Sequence, residues 1–93
     1  MDSEFIIIIK PEAERDIRAH KKSGNKAVIK KITTILNELK HHPYTGTGKP
    51  EQLKYKLSGF WSRRINQTDR LVYSVSENTV TVEVVSAMGH YER

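Results

Sequence analysis

The pattern of hydrophobic and polar positions predicts one strand, two helices and then a series of short strands. Residues 5–9 are all aromatic or β-branched, and a continuous apolar run of this length is typical of a strand covered on both faces. We therefore expect a central strand there. Pro11 suits the first turn of a helix, and Gly24 is well placed to end it.

A second, amphipathic helix is predicted to follow. Asn25 is a suitable N-terminal cap, and the apolar residues behind it recur at helical spacing: Val28, Ile29, Ile32, Ile35, Leu36 and Leu39. Pro43 limits how far this helix extends, so residues 12–40 are predicted to form a helical hairpin. Residues 43–50 are rich in turn formers and are interpreted as a connecting loop, because their glycine spacing matches no phosphate-binding motif.

From residue 60 onward the hydrophobic period changes to two. β-rich runs at 60–65, 70–75 and 79–86 are separated by short polar connections typical of hairpins, and residues 53–57 are a candidate for a further edge strand. This order predicts an α+β fold in which two N-terminal helices pack on one face of a mainly antiparallel sheet of four to five strands. The opposite face is expected to stay partly open to solvent.

Length and composition limit the classes of protein and site. The length of 93 residues predicts a single domain, residues 1–93, with a shallow functional surface. The chain has no cysteine, and its histidines show no metal-site spacing, so neither a metal nor a cofactor is expected. The longest apolar run is far too short to span a bilayer and lacks the flanks of a secretion signal. We therefore expect a cytoplasmic protein without a membrane partner.

The charge balance favours a polyanionic partner. Sixteen Lys and Arg residues against eleven Asp and Glu residues give a formal charge of +5, which suits nucleic acid, the ribosome or an acidic protein. Part of this charge falls on the predicted helical hairpin, at Arg18, Lys21, Lys22, Lys26, Lys30 and Lys31. From the residues alone, this patch is equally well interpreted as a solvated helix face or as an RNA-facing surface.

Three arginines occur within eight residues of the predicted sheet, at positions 63, 64 and 70. Strand alternation puts Arg63 on one face with Trp61, and Arg64 on the other face. Pairing with acidic residues explains only part of this charge, because residues 49–70 contain six basic and two acidic residues. An anionic ligand is the alternative explanation.

Cleavage of RNA without a metal requires a base for the 2′-hydroxyl, an acid for the departing 5′-oxygen, cations at the phosphate and a group that positions the nucleotide. The chain contains a candidate for each of these roles. The candidates are Glu51 as base, His90 as acid, Arg70 with Lys54 or Arg64 at the phosphate, and Tyr91 or Trp61 as a stacking platform. Their spacing alone does not show that they converge.

Several segments resemble the YoeB/Txe branch of the RelE/ParE toxin superfamily. They are Gly46-Thr47-Gly48-Lys49-Pro50-Glu51-Gln52-Leu53-Lys54, Leu57-Ser58-Gly59-Phe60-Trp61-Ser62-Arg63-Arg64-Ile65, Asp69-Arg70-Leu71-Val72-Tyr73 and His90-Tyr91. The likeness covers most of the chain and implies the RelE-like microbial RNase fold. It also implies the toxin of a type II toxin–antitoxin pair, an mRNA interferase that cuts the codon displayed in the ribosomal A site.

The resemblance carries specific roles onto matching positions. Glu51 is similar to the family's general base, Arg70 to its phosphate-stabilising arginine, His90 to its general acid and Tyr91 to the tyrosine that completes the site. The other candidate contacts with RNA or phosphate are Lys49, Lys54, Trp61, Arg63 and Arg64. The implied products are a 2′,3′-cyclic phosphate and a 5′-hydroxyl.

The chain departs from the family pattern at its end, where Glu92 and Arg93 follow the His-Tyr pair. The resemblance implies a YefM/Phd-type antitoxin as partner, besides the ribosome and mRNA, and homodimers occur among YoeB-like toxins. Two alternatives stay open. One is a ParE-like toxin that binds DNA gyrase without nuclease chemistry, and the other is a small basic RNA-binding module.

Overall fold

The computed structural model describes residues 4–87 of the chain. Within them lie two α-helices, a short 3₁₀ turn at Tyr55–Leu57 and five strands. The helices are α1 (Pro11–Ser23) and α2 (Lys26–Leu39), and the strands are β1 (Ile6–Ile9), β2 (Glu51–Gln52), β3 (Phe60–Arg64), β4 (Asp69–Ser76) and β5 (Thr79–Ala87).

The helical hairpin is confirmed, and its ends follow from local chemistry. Gly24 ends α1 in the left-handed conformation with φ of 76°, which glycine adopts at little cost. The next residue, Asn25, caps α2, where its side-chain oxygen accepts a hydrogen bond from the Val28 amide at 3.2 Å. The chain therefore reverses direction within two residues between the helices.

The sheet has the order β1-β5-β4-β3-β2. β1 runs parallel to β5, and the other neighbours are antiparallel. One face carries the core, in which buried side chains of α1 and α2 meet those of the sheet: Ala13, Val28, Ile32, Ile35, Leu39, Ile65, Leu71, Tyr73, Val80, Val82 and Val85. The predicted α+β architecture, with both helices on one face of a mainly antiparallel sheet, is confirmed.

Two predictions about individual strands are wrong. β1 is an edge strand rather than a central one, and Ile6 and Ile8 are 55% and 48% exposed. A short apolar run does not reveal whether one or both faces of a strand are covered. The edge strand predicted at 53–57 lies instead at Glu51–Gln52, and the 3₁₀ turn occupies the later residues.

The strand register determines which side chains share the face opposite the helices. Glu51 pairs with Ser62 across β2 and β3, and Arg64 pairs with Arg70 across β3 and β4. Directly paired residues lie on the same face, and so do alternate residues along a strand. These four side chains therefore share one end of the open face.

Candidate active site

The centre of the candidate site is a contact that spans three strands. A terminal nitrogen of Arg70, Nη2, lies 3.4 Å from Glu51 Oε1, and the other, Nη1, donates a hydrogen bond to Ser62 Oγ at 2.9 Å. The Arg70 side chain is only 6% exposed, whereas that of Glu51 is 58% exposed. The guanidinium is therefore held in place within the sheet, while the carboxylate faces solvent.

The length of the Glu51–Arg70 contact has a chemical consequence. Charge-assisted hydrogen bonds between nitrogen and a carboxylate are usually 2.7–2.9 Å long, so a contact of 3.4 Å is a loose one. An incoming phosphate can exchange with the carboxylate as a partner of Arg70 at modest cost, which leaves Glu51 available as a proton acceptor.

Several of the predicted RNA-binding cations are exposed. Arg64 is the direct strand partner of Arg70 and is exposed to solvent, as are Lys49 and Lys54 on either side of Glu51. Lys49 and Lys54 flank Glu51 in the chain, and Arg64 lies on its face of the sheet. This part of the surface therefore combines one carboxylate with cations suited to an anionic ligand.

The structure places Arg63 away from Glu51 and Arg70. Its side chain is fully buried on the helix side of the sheet and forms an ion pair of 2.7 Å with Glu38 of α2. Its five N–H groups form hydrogen bonds to Glu38, to the Tyr73 hydroxyl and to the backbone carbonyls of His42, Thr45 and Thr47. No donor is left for a phosphate, because a guanidinium has only five.

Trp61 also lies away from the candidate site, so the structure does not bring it together with Glu51 and Arg70, and its stacking role stays a prediction. It pairs with Gln52 and Tyr73, which places it on the helix side of the sheet, opposite to Glu51 and Arg70. Its ring packs at the margin of the core, with its centroid 4.9 Å from that of Tyr44.

The two remaining candidates, His90 and Tyr91, lie outside the described residues. The described chain ends on β5, where Ala87 pairs with Asp69 directly beside Arg70.

Sequence reasoning missed Ser62 and Glu38. Strand alternation did place Ser62 on the face of Arg64, and this shared face was the available signal. Glu38 had no comparable signal, because nothing in its local sequence indicates a contact with residue 63.

Within residues 4–87, no group of three or more His, Cys, Asp or Glu side chains is arranged to hold a metal ion. Neither helix within that range has the length and apolar character required to cross a membrane.

Comparison with known proteins connects this geometry to a family. A family model described as the YoeB-like toxin of bacterial type II toxin-antitoxin systems matches residues 10–91. Toxin YoeB of Escherichia coli O6:H1 is 47% identical over 58 residues, which are 62% of this chain and 69% of that protein.

Solved structures give the same result. The YoeB dimer from Staphylococcus aureus has a TM-score of 0.75 and 34% identity, and the match covers 90% of this chain and 97% of that one. The YoeB-YefM complex from the same organism has a TM-score of 0.75 and 35% identity, with the same coverage of both chains.

Proposed function

The chain belongs to the YoeB-like toxins of bacterial type II toxin–antitoxin systems, and we propose that it is a ribosome-dependent mRNA interferase. In this role it cuts mRNA in the ribosomal A site, in the cytoplasm, through attack of the ribose 2′-hydroxyl on the adjacent phosphate. The observation that carries the proposal is the contact between Glu51 and Arg70 across β3.

The proposed reaction uses side chains as acid and base. Glu51 accepts the proton of the 2′-hydroxyl, and the 2′-oxygen forms a bond to phosphorus as the bond to the 5′-oxygen breaks. Arg70 stabilises the negative charge that develops on the phosphate, as a donor already held in position by Ser62. His90 protonates the departing 5′-oxygen, with Tyr91 completing the site. The products are a 2′,3′-cyclic phosphate and a 5′-hydroxyl.

Chain geometry supports the assignment of His90. Ala87 pairs with Asp69, so β5 ends beside Arg70. His90 follows Ala87 by three residues, and three residues of extended chain span at most about 11 Å. This separation along the chain is compatible with the role proposed for His90.

The exposed cations around the site support RNA as the substrate. Lys49, Lys54 and Arg64 are exposed near Glu51 and can contact phosphates on either side of the scissile bond. The basic patch on the helical hairpin is available for ribosomal RNA, and its residues are Arg18, Lys21, Lys22, Lys26, Lys30 and Lys31.

Relatives indicate the partners. Staphylococcus aureus YoeB has been solved as a dimer and in complex with YefM. We extend both assemblies to this chain, with an antitoxin of the YefM/Phd type. An acidic antitoxin segment is complementary in charge to the cations around Glu51.

The test is cleavage of mRNA bound to purified ribosomes, with the 3′ ends mapped and probed for cyclic phosphate. Glu51→Ala and His90→Gln are each expected to slow cleavage by about 10² to 10⁴. Thr33→Ala is the control, because Thr33 is exposed on α2 and its hydroxyl donates to the Ile29 carbonyl of the same helix. Parental rates in both site variants contradict the proposal. Inhibition of DNA gyrase by a parent that cuts no mRNA favours the ParE-like alternative.

A further inference from the structure

Residues 42–49 precede the candidate base and form an irregular loop whose backbone is held by hydrogen bonds from buried side chains. These groups form the Arg63 cluster, which consists of the side chains of Glu38, Thr47, Arg63 and Tyr73 and of the backbone carbonyls of residues 42, 43, 45 and 47 that they bind. Arg63 Nη2 donates to the carbonyls of His42 and Thr45, each at 2.7 Å. One side chain of β3 therefore holds two separate points of the loop.

Glu38 connects the same loop to α2. Its Oε1 accepts hydrogen bonds from Arg63 Nη1 at 2.7 Å and from the Thr47 amide at 2.8 Å, and its Oε2 accepts one from Thr47 Oγ1 at 2.6 Å. Burial opposes ionisation of Glu38, but the hydrogen bonds from Thr47 and the charge of Arg63 outweigh it and lower the pKa of this carboxyl. The carboxylate is thus charged at neutral pH and binds a residue four positions before Glu51.

Tyr73 adds a third attachment. Its hydroxyl donates to the Pro43 carbonyl at 2.6 Å and accepts from Arg63 Nε at 3.3 Å. Burial raises the pKa of Tyr73, so the phenol remains a donor at neutral pH.

The loop then passes close to β3 just before the catalytic position. The Gly48 carbonyl accepts a hydrogen bond from the Arg64 amide at 2.7 Å. Gly48 has φ of 88°, and a Cβ there would meet the Arg64 carbonyl at 2.7 Å, so only glycine allows this approach. Three residues later Glu51 begins β2 opposite Ser62.

A buried ion pair is weak support for stability alone, because well-packed apolar residues often serve equally well. What this cluster does that apolar residues cannot is hold four backbone carbonyls of an irregular segment in one arrangement. We infer that Glu38 and Arg63 are positioning residues that place Glu51 against Arg70 for proton abstraction. This inference rests on the proposed function, since it assigns them an effect on cleavage through Glu51.

A positioning role and a purely structural role predict different kinetics. If the cluster only stabilises the fold, loosening it lowers the folded fraction, and the molecules that remain folded cut at the parental rate. If the cluster places Glu51, folded molecules cut more slowly at unchanged ribosome affinity. That defect also disappears when Glu51 is absent.

The experiment measures single-turnover cleavage of ribosome-bound mRNA by full-length protein, at a temperature where every variant is folded by circular dichroism. Thr47→Val is the main variant, because it removes the hydroxyl bond to Glu38 and preserves side-chain shape and the buried ion pair. Thr33→Val is the matched control on α2, where the same hydroxyl is lost from an exposed site. Glu38→Ala is a stronger variant that also removes the counter-ion of Arg63.

Thr47→Val is expected to lower the maximal cleavage rate by roughly 10-fold and to leave the ribosome concentration at half-saturation unchanged. This loss is smaller than the about 10²-fold loss that follows from a 1 Å misplacement of a reacting group. In the Glu51→Ala background the same substitution is expected to cause no further loss. The positioning role is overturned if Thr47→Val alone cuts at the parental rate. It is also overturned if the double variant loses activity by the product of the two single losses. Parental cleavage by Glu51→Ala alone instead overturns the proposed function, so the two failures are distinguishable.

Discussion

Arg70 Nη2 and Glu51 Oε1 lie 3.4 Å apart across the intervening strand β3. The guanidinium reaches this position because Arg70 is buried on β4 and its other terminal nitrogen is held by Ser62 on β3. One planar side chain thus connects the candidate base to the centre of the sheet. In the guanidinium, two different terminal nitrogens make these two contacts, whereas an ammonium would have to make both from one nitrogen.

Arg70→Lys is therefore expected to impair cleavage although it preserves the charge. An ammonium can contact Ser62 or a bound phosphate, but it lacks the two separate terminal nitrogens with which the planar guanidinium reaches both. Loss of one positioned donor typically costs about 10² to 10³ in the maximal rate. Single-turnover cleavage of ribosome-bound mRNA measures the effect, with unfolding in urea as a check on the fold. A lysine variant that cuts at the parental rate contradicts the role assigned to Arg70.

Arg63 and Arg64 are chain neighbours with opposite environments, which allows a matched test of stability. Arg63 is fully buried against Glu38, and Arg64 is exposed on the other face. Arg63→Ala is expected to lower the free energy of unfolding by about 3–5 kcal/mol, because it leaves a carboxylate without its partner. Arg64→Ala is expected to change it by about 0.5 kcal/mol or less. Urea unfolding measures both, and equal losses contradict the assigned environments.

These two arginines also show how far sequence reasoning reached. Strand alternation correctly separated their faces, but it did not identify which face the helices cover. The local sequence around Arg63 contains no sign of Glu38, which approaches from another element 25 positions away. The order of elements could be predicted because caps, prolines and hydrophobic periods are local signals.

The placements of β1 and Trp61 also depend on contacts between distant parts of the chain. The position of β1 at the sheet edge depends on its pairing with β5, at the far end of the chain. Trp61 was predicted to stack on substrate because aromatic side chains suit both bases and cores. Only the strand register assigns it to the helix side.

The lowered pKa of Glu38 predicts a specific dependence of stability on pH. Hydrogen bonds from Thr47 and the charge of Arg63 hold the folded-state pKa below its ordinary value of 4.5. A depressed pKa contributes stability that is fully present above the unfolded value and is lost as the pH falls through the folded value. Glu38→Gln removes this titration. The difference in free energy of unfolding between parent and variant is therefore expected to be constant near neutral pH and to become smaller below about pH 4.5.

Urea unfolding of both proteins between neutral and acidic pH measures this difference. Glu77→Gln is the control for removal of one carboxylate, because Glu77 is exposed in the turn between β4 and β5. A difference that widens in acid contradicts the ionised state of Glu38 in the folded protein.

Lys54 is expected to affect RNA binding rather than the chemical step. Its side chain is exposed three residues after Glu51, outside the contact between Glu51, Ser62 and Arg70. Lys54→Ala is therefore expected to raise half-saturation for ribosome-bound mRNA and to leave the maximal rate nearly unchanged. Removal of one phosphate contact also reduces the slope of log affinity against log salt concentration by about 1. Lys40→Ala removes an equal charge from the end of α2 and is expected to leave that slope nearly unchanged. A fall in the maximal rate with no change in salt dependence assigns Lys54 to the reaction itself and contradicts this prediction.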